Sequence, residues 1–177
     1  MQGDEDGSDI LEQNGYYYAY GYGTGYLGGT VPMLLKLDPT NGNVVWAKVI
    51  RGEYGGLGRS IIPNLNNDGF IISFNDQFRE ESLPDSVISK LVVVELDANA
   101  TVRWKKQYDS DKKEQMSHLM ANNAHDGYVI SGVYSKAKEL EITNRDIPFL
   151  MNIKANGDFV DYHLLHNNPE YSPAYVS

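Results

Sequence analysis

A chain of 177 residues is sized for one domain or for part of a larger one. Its 41% hydrophobic content suits a globular core, and its formal charge of −9 argues against a nucleic-acid partner, whose phosphates require a basic face. Cysteine is absent, which excludes disulfides and thiolate metal sites but leaves the compartment open.

The chain opens on an acidic stretch, with Asp4, Glu5, Asp6, Asp9 and Glu12, and residues 1–7 read as a solvated leader. Polar and acidic residues directly after Met1 give no targeting signal at this end. No apolar run is long enough to span a bilayer.

From Ser8 onward the sequence repeats itself. Ser8, Ser60 and Ser117 each lead into a short apolar run and stand 52 and 57 residues apart, a spacing typical of arrays of small sheet units. The repeats predict units at 8–59, 60–116 and 117–169, with the opening of a fourth at 170–177. A second strand follows each Asn-Gly or Asp-Gly turn: Asn14-Gly15 before Tyr16, Asp68-Gly69 before Phe70, Asp126-Gly127 before Tyr128. Such dipeptides accept positive φ and close tight hairpins. The third strand is the most apolar, as in Leu91-Val92-Val93-Val94, which predicts cover on both faces.

A second turn, at Asn41-Gly42, Asn99-Ala100 and Asn156-Gly157, leads into a fourth strand that alternates Val44, Trp46, Lys48, Ile50 and then Val102, Trp104, Lys106, Tyr108. In the third unit Asp161 takes the tryptophan position, with Val160, Tyr162 and Leu164 as the apolar set. A slip of one residue there would exchange the two faces. The connections between second and third strands vary most, at 23–30, 76–89 and 135–146. Variable insertions at one edge of a repeat array commonly form its contact side.

Asp38, Gly42 and Trp46, with three residues between each pair, resemble the tryptophan-docking repeat of the pyrroloquinoline-quinone-like (PQQ-like) β-propellers. The second unit keeps Asp97 and Trp104 and has Ala100 in the glycine position; the third lacks both aspartate and tryptophan. The resemblance implies an all-β fold of tandem four-stranded antiparallel blades, three plus the start of a fourth, with tryptophans locking adjacent blades. Closed propellers normally hold four to eight blades. Three in a row leave two end faces bare, and at some 400–500 Å² of apolar area each such face forfeits on the order of 10 kcal/mol. Other blades of a parent chain, or partner proteins, are therefore expected to cover the ends.

Several motifs admit a chemical reading beside a plain one. Gly23-Thr24-Gly25-Tyr26-Leu27-Gly28 fits G-x-G-x-x-G, but a dinucleotide site needs a helix next, and a strand is predicted from Met33. Asn64, Asn66, Asp68 and Gly69 imitate the start of a calcium loop without its closing ligand, so a turn is expected. His163 and His166, three apart on a strand, face opposite ways and cannot share a metal ion. His118 and His125 flank a loop without an obvious partner. No nucleophile stands beside a base, and no cofactor or metal set emerges.

Tyr16, Tyr18, Tyr20 and Tyr22 share one strand face, either as a surface platform for sugars or as the packed face of a blade. Asn99-Ala100-Thr101 is a glycosylation sequon at a hairpin tip and points to a glycan and an extracellular or cell-surface setting; the lack of cysteine is equally compatible with the cytoplasm. The expected function is a non-catalytic scaffold or protein-interaction surface within a larger chain or assembly. The alternatives are a quinoprotein-like propeller enzyme and a carbohydrate-binding propeller. Asp38, Gly42, Trp46, Asp97 and Trp104 are expected to be structural.

Overall fold

The structure, a computed structural model, describes residues 5–24, 29–53, 55–79, 87–108, 113–135 and 146–165. Among these residues the chain is all-β, without helices, and forms three four-stranded antiparallel sheets. The first contains β1 (Glu5–Gln13), β2 (Tyr16–Thr24), β3 (Thr30–Leu37) and β4 (Val44–Val49). The second contains β5 (Leu57–Pro63), β6 (Gly69–Arg79), β7 (Val87–Asp97) and β8 (Val102–Tyr108). The third contains β9 (Lys113–Ala121), β10 (Gly127–Ser135), β11 (Asp146–Lys154) and β12 (Phe159–Leu164). In each sheet the strands lie side by side in chain order. No helix among the described residues is long and apolar enough to cross a membrane.

The repeat is a repeat of register as well as of letters. Lys36 pairs with Trp46, Glu95 with Trp104 and Asn152 with Asp161, and each pair is followed by a β-bulge at the next residue of the third strand. The third sheet therefore keeps the register of the other two, and the slip that Asp161 raised does not occur. Tyr162 and Leu164 turn inward, with Tyr162 stacked on Phe149 at a 5.0 Å centroid distance, whereas Val160 is exposed. A bulge also interrupts the first strand of each sheet, where it raises the local twist.

Two apolar cores lie between successive sheets. Tyr18, Tyr20 and Leu34 of the first sheet meet Phe70, Ile72, Phe74, Val92, Val94 and Leu96 of the second. Ile71, Leu91 and Val93, on the opposite face of the second sheet, meet Leu119, Ile130, Phe149 and Met151 of the third. Alternation along β6 and β7 thus sends neighbouring residues into different cores, which explains why β7 reads as an unbroken apolar run. The first strands of successive sheets touch, β1 with β5 and β5 with β9.

Two expectations need correction. Glu5, Asp6 and Gly7, assigned above to a solvated leader, belong to β1 and pair with Gly23, Tyr22 and Gly21. The connection expected over 76–89 is shorter, because β6 and β7 stay paired out to Arg79 and Val87. Cross-strand pairing there overrides the low strand preference of acidic and amide residues. Residues 25–28, 80–86, 136–145 and 166–177 lie outside the described residues, and with them most of the variable connections, His166 and the expected fourth unit.

Candidate functional site

The turn between third and fourth strands is where the sheets grip one another. In the first sheet the Asp38 carboxylate accepts hydrogen bonds from the Thr40 amide (2.8 Å) and hydroxyl (2.5 Å), while Gly42 takes φ +73°. In the second, Asp97 accepts from the amides of Asn99 and Thr101, both at 2.8 Å, and Ala100 takes φ +57°. In the third, Lys154 replaces the aspartate; the turn is closed by Asn156 and Asp158, and Gly157 takes φ +80°. These hydrogen bonds favour the ionised carboxylate, so Asp38, Asp97 and Asp158 all titrate below the usual range: Asp38 chiefly through the Thr40 hydroxyl, Asp97 through the Thr101 amide, Asp158 through Lys106.

The fourth strand of one sheet reaches the turn of the next. Trp104 lies against Gly157, Lys106 Nζ sits 3.1 Å from Asp158 Oδ1, and the Tyr108 hydroxyl donates to the Gly157 carbonyl at 2.6 Å. These three side chains alternate along β8 and so share one face. The equivalent positions in the first sheet are Trp46, Lys48 and Ile50. Trp46 and Ile50 join the cluster that contains Ala100, and the Trp46 ring lies 6.0 Å from that of Tyr18. Asp38, Gly42, Trp46, Asp97 and Trp104 are thus turn and inter-sheet residues. Asn99 is exposed at the β7–β8 hairpin tip, its amide held by Asp97.

The tyrosine stripe is a packed face. Tyr18 and Tyr20 are buried between the first two sheets, the Tyr20 hydroxyl donating to the Ser73 carbonyl at 3.2 Å, and neither ring is open to a sugar. Tyr16 holds Lys36 Nζ 3.6 Å over its ring, and Tyr22 donates to Asp6 at 2.8 Å. Most of the glycine run at 23–28 lies outside the described residues, and the next described element is the strand β3, not a helix. His163 Nε2 is 3.5 Å from Asp161, His118 is exposed, and His125 forms a turn at φ +54°.

Three polar arrangements escaped the sequence reading. Asn64 and Asp68 bond each other across their turn, and Arg103 clasps Asp68 at 2.7 and 2.9 Å while also reaching Glu95 at 3.1 Å. The guanidinium, with help from Asn64, holds the Asp68 carboxyl down at about 2. Asn64 and Asp68 therefore form a braced turn, and the fourfold spacing recurs in Asn122 and Asp126, which bond the same way. That recurrence was the available signal. Asp9, part of the acidic opening stretch, is half-buried and accepts from the Ser60 hydroxyl (3.0 Å) and the Ile61 amide (2.9 Å) of the second sheet. Asp76 is buried and accepts from the Glu53 amide at 2.5 Å.

The outer face of the first sheet has no cover among the described residues. The back of the first sheet presents Ile10, Tyr17, Ala19, Met33, Leu35 and Val49, the positions that point away from Tyr18, Tyr20 and Leu34. A groove of about 160 Å³ runs across it, lined in part by Asp6, Ala19, Gly21, Met33 and Leu35. No group of three or more His, Asp or Glu side chains among the described residues is arranged to hold a metal ion. No protein-family model matches this chain, and no curated protein matches it either.

Proposed function

We propose that this chain is a run of β-propeller-type blades that acts as a non-catalytic scaffold, docking to further polypeptide through the back of its first sheet. One observation carries this reading. The shared register makes Ile10, Ile61 and Leu119 equivalent, since they pair with Ala19, Ile72 and Ile130 at matching places, and they are 63%, 3% and 0% exposed. Tyr17, Phe70 and Tyr128 form a second such set, at 38%, 1% and 1%. Positions that are core in two sheets are surface in the first, and large contiguous apolar surface usually marks an interface.

The contact of first strand with first strand, the tryptophans set on neighbouring turns and the recurrent bulges all agree with radial packing of blades. An extracellular setting, expected from the Asn99 sequon, belongs to the same reading. The test is Leu35→Glu in the full chain, expressed in its own cells and sized by gel filtration. Wild type is expected in an assembly larger than the monomer, and the variant as a smaller species with an unchanged melting curve. A wild-type chain that runs as a cooperatively melting monomer in dilute extract would sink the proposal.

A further inference from the structure

The turn between third and fourth strands occurs three times and is filled twice. A Cβ built on Gly157 would lie 2.8 Å from Trp104 Cζ3, and Ala100 is buried in the cluster on which Trp46 packs. Gly42 has the same left-handed conformation, yet a Cβ there would meet nothing within 4 Å among the described residues. Beside it, Met33 and Leu35 stand where Val92 and Val94 stand in the second sheet, and Phe149 and Met151 in the third. Those four are fully buried. The first sheet therefore offers a whole acceptor: an apolar face next to a turn of the kind on which a tryptophan rests.

We infer that this acceptor takes another four-stranded sheet of the same repeat kind, one that presents a tryptophan from its fourth strand. The inference rests on the scaffold reading and names its partner. A second copy of this chain does not fit. The third sheet, whose free face would have to dock, carries Asp161 at the tryptophan position, bonded to Asn152 at 2.5 Å and beside His163. Pressing that carboxylate onto an apolar turn would strip its water, and the turn offers it no further hydrogen bond in exchange. The donor sheet thus comes from sequence other than these 177 residues; the free face of the third sheet, where Met120, Val129 and Leu150 stand on the same side as Asp161, departs from such a donor at the tryptophan position.

Asp161→Trp in the full chain tests this by supplying the missing side chain. Sedimentation velocity is expected to show concentration-dependent head-to-tail association of the variant, as a heterologous contact requires, and none for wild type. Adding Leu35→Glu to the variant is expected to abolish it. Wild-type sedimentation from a folded Asp161→Trp chain, or association indifferent to Leu35→Glu, would overturn the inference. So would wild-type self-association lost on Leu35→Glu, since the occupant would then be a second copy.

If Asp161→Trp does not fold, a chain with residues 57–112 repeated ahead of residue 5 serves instead. It is expected to melt several degrees above wild type, and to lose that gain when the tryptophan of the added copy is replaced by alanine. No gain, or a gain independent of that tryptophan, overturns the inference. A native assembly that depends on Leu35 together with a silent Asp161→Trp would leave the scaffold reading standing and remove only the tryptophan-bearing partner.

Discussion

The ring of Trp104 lies so close over Gly157 that a single methyl group at that glycine would fall 2.8 Å from Cζ3 and 3.0 Å from Cε3. Gly157 also sits at φ +80°, where any other L-residue is strained. Gly157→Ala should therefore pay twice, about 1–2 kcal/mol for the backbone and a further ~1–3 kcal/mol for overpacking. Gly42→Ala, at φ +73° in open space, should pay only the first. Urea melts of the two variants check this. Equal losses would show that Trp104 yields freely.

Trp104 is half-buried, and its Nε1–H is buried without an acceptor among the described residues. Trp104→Ala should cost about 3 kcal/mol, the low end for truncating a core aromatic. Trp104→Phe should cost clearly less, because it keeps much of the ring and removes an unpaired donor. Calorimetry that gave the two variants the same loss would mean that the indole N–H has a partner.

Asp9 ties the first sheet to the second through the Ser60 hydroxyl and the Ile61 amide. Asp9→Ala leaves both donors unpaired at a half-buried site and should cost ~1–3 kcal/mol. Asp9→Asn keeps one acceptor oxygen and should fall between. Ile10→Ala, one residue away on an exposed position, should change the urea midpoint little.

The Arg103 clasp predicts an acid limb of stability. The Asp68 carboxyl is depressed to about 2 in the folded chain, below its unfolded value of about 3.9. A depressed carboxylate adds stability above the unfolded value, and that contribution is lost as the pH falls toward 2. The urea midpoint should hold steady from pH 7 to about pH 5 and decline below about pH 4. Asp68→Asn should start lower at pH 7 and decline less steeply. Because the pair is exposed to solvent, added salt should narrow the difference.

The strands and their order were legible from the letters because they are local events. Alternation fixes which residues share a face, and Asn14-Gly15 closes its hairpin with both residues at positive φ, whereas Asp68-Gly69 and Asp126-Gly127 mark where β6 and β10 begin, the positive φ falling just before each dipeptide, at Asn67 and His125. The repeated spacing of Trp46 and Trp104 likewise placed them at one register position of their two sheets. What the letters did not reveal involves partners far along the chain. Arg103 meets Asp68 across 35 positions, Ile61 meets Asp9 across 52, and Trp104 meets Gly157 in a different sheet.

Those contacts exist only once whole sheets have stacked, and stacking depends on surfaces summed over many residues. The same summation decides the fate of like residues: Ile61 and Leu119 vanish into cores while Ile10, their counterpart, faces outward, with no sheet behind it among the described residues.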